Sequence, residues 1–101
     1  MLHVIARMSV KPGKMSELLK LLEALVPQVR AEEGCIRYEV CLDADSKIGV
    51  GPDKQALTIL ETWESEAHLE AHLAAPHMAT YREQSAGLRD RSQLTLLSSR
   101  I

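Results

Sequence analysis

Between Lys14 and Glu33 the apolar residues Met15, Leu18, Leu22, Leu25 and Val29 recur at helical spacing, with Leu19 and Val26 beside them. The stretch is an amphipathic helix, the one long helical pattern in the chain, and the segments on either side of it read as strands. Leu2 to Val10 alternates through Val4, Ile5 and Val10, and Lys11-Pro12-Gly13 makes the turn into the helix. Pro27 falls inside the helical pattern and is expected to kink the helix or split it in two. Glu33-Gly34 ends it, with Gly34 as a left-handed cap.

Cys35 to Leu42 is a second strand, with Ile36, Tyr38, Val40 and Leu42 on one face and Cys35, Arg37, Glu39 and Cys41 on the other. Asp43 to Gln55, with two glycines, Pro52 and several charges, is a long loop. A third strand runs from Ala56 to Glu64, apolar on both faces: Leu57, Ile59 and Trp63 against Ala56 and Leu60. Ser65 caps a short helix reaching about Ala75, and Glu66 suits its positive first turn. Pro76 opens another short helix that ends near Gly87, and Gln93 to Ser98 is a fourth strand.

The resulting order, β-α-β-β-α-(α)-β, is the split pattern of a ferredoxin-like fold. It predicts an α+β domain with a four-stranded antiparallel sheet and helices on one face. The uncovered face still carries apolar side chains. A second copy docking sheet against sheet, as a homodimer, is the simplest cover. With 101 residues the chain makes one domain, 1–101, with little core volume to give up to a ligand cavity, so a pocket is most economical where two chains meet.

The net charge is −2 and the basic residues are scattered, which excludes a basic stripe for nucleic acid or for an anionic membrane. No apolar run approaches the length of a membrane span, and the start of the chain has no signal-peptide pattern. Cys35 and Cys41 lie too far apart on an extended strand to form a disulfide. Two free thiols suit a cytoplasmic location.

Chemistry concentrates between Glu61 and Tyr81, which hold three of the four histidines and the single tryptophan. His68 and His72 are one helical turn apart, half of a metal site at most. The zinc-protease pattern needs a glutamate directly after the first histidine, where Leu69 stands. A third ligand from His77 would require the Pro76 turn to fold it back, so no metal site is expected. His72 flanks the apolar side of its helix and His68 lies further round. A histidine near neutral pKa is the natural general acid or base. Trp63 is either a core anchor or a surface for a flat ligand. His77 and Tyr81 are one turn apart and share a surface, and Glu64 is placed to cap a helix or pair with a histidine. No glycine-rich phosphate loop follows a strand, Gly49-Val50-Gly51 sits in a polar loop, and nothing builds a flavin, nicotinamide or ATP site.

The run Glu61-Thr62-Trp63-Glu64-Ser65, His68-Leu69-Glu70-Ala71-His72-Leu73 and Pro76-His77-Met78 with Tyr81 resembles the antibiotic biosynthesis monooxygenase family, in its quinol monooxygenase-like branch. Lys11-Pro12-Gly13 and Glu32-Glu33-Gly34-Cys35 extend the resemblance over nearly the whole chain. It implies a dimeric α+β barrel and an enzyme that oxygenates a small aromatic quinol-like substrate with O2, giving a quinone, without metal or organic cofactor. His72 would be the base, with Trp63, His68, His77, Tyr81 and Glu64 around the substrate. The haem-degrading branch relies on an asparagine–tryptophan–histidine set. Trp63 matches its tryptophan, but strand one carries Ala6 and Arg7 and no asparagine. Two alternatives stand beside the monooxygenase: an isomerase or degrading enzyme for a small phosphorylated carbonyl compound, and a non-catalytic dimeric small-molecule-binding module.

Overall fold

The computed structural model describes all residues from Met1 to Ile101. The elements are β1 (Leu2–Val10), α1 (Met15–Arg30), β2 (Cys35–Leu42), β3 (Ala56–Trp63), α2 (Glu66–Leu73), α3 (Pro76–Ser85) and β4 (Arg89–Ser98). They build a four-stranded antiparallel sheet of order β2-β3-β1-β4. Helices pack on one face, the ferredoxin-like α+β arrangement that the element order predicts.

Alternation in the central strands decides which face is core. Val4, Ala6, Met8 and Val10 of β1 lie beneath the helices, and Glu61, Ile59 and Leu57 of β3 sit opposite Val4, Ala6 and Met8. Helix α1 covers them with Leu18, Leu22, Leu25 and Val29, all buried. Each such side chain contributes about 1.5–3 kcal/mol of apolar burial, as an upper bound. Pro27 leaves α1 as one element, neither split nor ended at that point. It stands in the last turn, so the bond it forfeits is the one to the Glu23 carbonyl, and only three residues follow it before the helix ends. The helix stops at Arg30, three residues before the expected end. Its cap is Ala31, whose N–H donates to the Pro27 carbonyl at 3.2 Å, while the Arg30 Nε donates to the Tyr38 carbonyl at 3.1 Å and ties the helix end to β2.

Gly34 is the bend into β2 rather than the helix cap. Its φ is +82°, in the left-handed region, and a Cβ there would collide with the His68 ring. Its carbonyl accepts from the Glu64 N–H at 2.9 Å, which joins this turn to the end of β3.

A bulge between Cys35 and Arg37 changes the faces expected for β2. Cys35 pairs opposite Trp63 on the helix side, Ile36 is extruded and half exposed, and Cys41 lies opposite Thr58 on the other face. The two free cysteines therefore point to opposite sides of the sheet. Strand β4 starts four residues earlier than the apolar signal at Gln93. Its first residues, Arg89 to Ser92, are polar because an edge strand needs no buried face. The pairing of Val10 with Arg89 and the bond from Lys11 N–H to the Leu88 carbonyl at 2.9 Å carry the ladder into them.

The helices leave β4 uncovered, so Leu94 and Leu96 on the helix side and Leu97 on the other side stay exposed. The sheet face away from the helices carries Ile5 and Leu60 among polar neighbours. There Arg7 donates to both Asp43 carboxylate oxygens (2.9 and 3.0 Å) and to Thr58 Oγ1 (2.8 Å). Asp43 also accepts from the Asp53 N–H at 2.9 Å, which pins both ends of the 43–55 loop to the sheet. The Arg7 guanidinium and that backbone bond hold the Asp43 carboxyl down to about 2. No helix is long and apolar enough to cross a membrane.

Gly34→Ala combines a disfavoured backbone with the clash against His68. It should lower unfolding stability by more than the roughly 1–2 kcal/mol of a left-handed non-glycine residue, read from urea midpoints. A loss below about 0.5 kcal/mol would contradict this account of the turn.

Candidate active site

Ser65 fixes the start of α2. Its Oγ accepts from the His68 N–H at 3.2 Å and bonds the same residue's Nδ1 at 2.7 Å. With the N-terminus set there, Leu69 and His72 face inward. Pro76 at the first position of α3 then turns the chain so that His77 comes back towards His72. The Glu32 turn after α1 meets both rings. Glu32 Oε2 lies 2.8 Å from His72 Nδ1 and 2.8 Å from His77 Nε2.

An ionised carboxylate has only acceptor sites, so each bonded ring nitrogen is a donor. His72 then carries its proton on Nδ1 when neutral and leaves Nε2 with a lone pair and no hydrogen-bond partner. The His72 side chain is 2% exposed. Its ring lies against Trp63, centroids 4.7 Å apart and planes tilted by 34°, and meets the Tyr38 ring edge-on at 5.7 Å. The Glu32 and His77 side chains are partly exposed, at 14% and 23%, and form the outer edge of the cluster.

A second carboxyl lies on the strand face that carries Trp63. Glu61 is buried on the helix side of β3, two residues before Trp63, and its Oε1 accepts from Trp63 Nε1 at 2.9 Å. Burial pushes the Glu61 carboxyl above the usual carboxylate range; the bond from Trp63 opposes the shift and the Glu32 charge adds to it. Burial likewise pushes the Tyr38 phenol strongly up, and the Cys35 thiol rises for the same reason, with Glu32 and Glu61 adding to both.

The residues expected at the site separate into three groups. His72 and His77 come together through Glu32, and Trp63 packs on the His72 ring. Trp63 has no exposed surface and fills the space between sheet and α2 as a core anchor; neither Trp63 nor His72 lines the grooves beside α1, β2, β4 or the 43–55 loop. His68 sits at the edge, packed on Gly34, with Nε2 4.0 Å from Glu33 Oε1. Tyr81 and Glu64 lie outside the cluster. Tyr81 is buried in α3 beside a groove of about 360 Å³ between α1 and α3, shared with His77 and Gln28. Its hydroxyl has no hydrogen-bond partner, and the Arg89 guanidinium stands 5.6 Å from its ring. The Glu64 side chain is exposed and bonds nothing: Ser65 does the capping and Glu32 meets the histidines.

Glu32, Tyr38 and Glu61 join the cluster without having been singled out from the sequence. Alternation carried the signal for Glu61, which shares a strand face with Ile59 and Trp63, and for Tyr38, which shares one with Val40. The fourth histidine, His3, is far from this cluster in use, bonding Thr62 Oγ1 at 3.0 Å and Ser99 Oγ at 3.1 Å.

A four-stranded antiparallel sheet of this order with helices on one face makes the protein a ferredoxin-like α+β domain. Residues 1–84 match the antibiotic biosynthesis monooxygenase family, and the chain belongs to it. It is 39% identical over 92 residues to the Escherichia coli (strain K12) protein named probable quinol monooxygenase YgiN, covering 86% of either chain. Among solved structures it resembles PA3566 from Pseudomonas aeruginosa with a TM-score of 0.85 at 27% identity, covering 99% of this chain and 94% of that one. It also resembles Rv0793 from Mycobacterium tuberculosis with a TM-score of 0.83 at 32% identity, covering 99% and 95%.

Because the folded state favours the neutral Glu61 carboxyl, this group contributes stability that is full below the ordinary carboxylate range. That contribution is lost as pH rises through the raised folded value. Glu61→Gln keeps an acceptor for Trp63 and removes the buried charge. Its denaturation midpoint at neutral pH should exceed that of the unsubstituted protein, and the midpoint should vary less between about pH 4 and pH 7. A lower midpoint at neutral pH would show that the carboxylate is needed ionised.

Proposed function

We propose that the protein is a monooxygenase that oxidises a small aromatic quinol-like substrate with O2 to a quinone, using its own side chains without metal or organic cofactor. The observation that carries this reading is the 2.8 Å bond between Glu32 Oε2 and His72 Nδ1, with His72 Nε2 left free. A carboxylate behind an imidazole holds the tautomer in which the far nitrogen accepts a proton and stabilises the imidazolium that follows. The similarity to YgiN supports the substrate class.

In this mechanism His72 Nε2 takes the hydroxyl proton of the substrate. The resulting anion transfers one electron to O2, and the radical pair combines at a ring carbon that bears hydrogen; the peroxide anion so formed takes the proton back from His72 to give a hydroperoxide. Loss of water from that carbon leaves a carbonyl, so one oxygen atom stays on the ring and the other leaves as water. The substrate supplies all four electrons. Glu32 balances the imidazolium charge, and the surrounding Tyr38 and Trp63 rings keep bulk water from the anion. Trp63 and His72 now fill the space an aromatic ring would take, so binding requires their side chains to shift. The edge at His77 and Glu32 is the least buried way in.

A homodimer belongs to the same reading. A second copy would cover the exposed Leu94, Leu96 and Leu97 of β4 and enclose the substrate more fully than one chain does. The two free thiols fit a reducing cytoplasm.

Oxygen uptake with a panel of hydroquinones, measured with a metal chelator present, tests the function. Chelator-resistant uptake should fall by about 10²- to 10⁴-fold in His72→Ala with folding retained. Uptake no faster than autoxidation, or equal in His72→Ala, would remove the proposal.

A further inference from the structure

We propose that Glu32, His72 and His77 form a binding site for one divalent first-row transition ion of the zinc type, and that its occupancy silences His72 as a base. The metal site stands on its own geometry; the silencing rests on the function proposed above.

The three donor atoms lie within 4.8 Å of one another, with His72 buried and Glu32 and His77 half-buried. Two imidazoles and one carboxylate are the donor set that first-row divalent ions take, with one or more positions left for water or a ligand. Metal–ligand bonds of about 2.0–2.2 Å place tetrahedral donors roughly 3.3 Å apart. The Glu32 oxygen now sits 2.8 Å from each ring nitrogen, so those two edges have to open by about half an ångström, while the two ring nitrogens lie no more than 4.8 Å apart. The donors are set by three separate anchors: the turn after α1, the Ser65-capped helix α2 and the Pro76 start of α3. The set is therefore organised before any ion arrives. An ion can reach it from the Glu32–His77 edge without crossing the core.

The sequence pointed to a different pair. His68 and His72 share a helix side, yet His68 is held by Ser65 and stands next to Glu33, while the Pro76 turn brings in His77. His68 is outside the ligand set.

The effect on the base follows from counting protons. Coordination uses the lone pair of His72 Nδ1, so a neutral ring must then carry its proton on Nε2. The proton moves from Nδ1 to Nε2 through solvent, and the nitrogen that would accept the substrate proton becomes a donor. His77 changes in the opposite sense, with its proton moving from Nε2 to Nδ1. No net proton is released from two neutral rings, and no redox change is involved.

The test uses the full chain, freed of metal by a chelator. Co²⁺ is titrated in and read by its visible d–d absorption, and Zn²⁺ is then added in competition. One equivalent per chain should saturate the signal and Zn²⁺ should displace it. His77→Ala should weaken binding at least about tenfold, and His68→Ala should leave it unchanged. Glu32→Gln serves as a second ligand variant should His77→Ala not fold. In parallel, Zn²⁺ added to ¹⁵N-histidine-labelled protein should move the His72 ring proton from Nδ1 to Nε2, and Zn²⁺ should inhibit quinol oxidation reversibly. Undiminished cobalt binding in the ligand variants, loss of it in His68→Ala, or no stoichiometric binding would overturn the site. Binding with the His72 proton still on Nδ1, or with undiminished turnover, would overturn the silencing alone. Normal cobalt binding in a protein without quinol turnover would count against the proposed function and not against the site.

Discussion

One carboxylate oxygen shared by two imidazoles organises this molecule. Glu32 lies outside any helix or strand, in the turn between α1 and β2, and it reaches residues forty and forty-five positions away in the chain. The turn is fixed by short-range bonds: Glu32 N–H to the Val29 carbonyl at 2.9 Å, and Cys35 N–H to the Glu32 carbonyl at 3.2 Å. Gly34 bends the backbone where no other residue fits, and its carbonyl holds the end of β3. The carboxylate thus joins the end of the long helix, the ends of two strands and both short helices. It is the contact that turns a generic α+β sandwich into a site.

Around it the polar groups are arranged in layers. Glu32 and His77 stand at the edge, His72 behind them, and Trp63 with Glu61 and Tyr38 behind His72. Water is progressively excluded along that line, and the effect is visible in the carboxyls. The half-buried Glu32 shares its oxygen with two rings, whereas burial raises the deeper Glu61 and leaves it one indole N–H as partner. Two carboxyls in one cluster are given different environments by depth alone, a common basis for assigning separate roles to like groups.

The fold was legible because its signals are periodic. The α1 stripe, the Ser65 cap and Pro76 at a helix start all name local conformations, and together they specify the order of elements. What escaped was set by irregularity or by contact across the chain. The bulge at Cys35 shifts that residue to the other face, and nothing in its neighbours announces an extra residue. The polar start of β4 has no apolar alternation because an edge strand leaves it in water. His72 and His77 stood out as residue types, but their partner Glu32 looked like one of two ordinary acids at a helix end. Glu64 and Tyr81 make no bond to Glu32, His72 or His77, although Tyr81 shares a groove with His77.

Chemically, the whole account turns on which nitrogen of His72 bears the proton. The direct measurement is ¹⁵N NMR of ring-labelled histidine in the metal-free protein at neutral pH. The account predicts a His72 proton on Nδ1, hydrogen-bonded to Glu32, with Nε2 unprotonated, and loss of that single-tautomer signature in Glu32→Gln. A proton found on Nε2 of neutral His72, or a tautomer unaffected by Glu32→Gln, would contradict it.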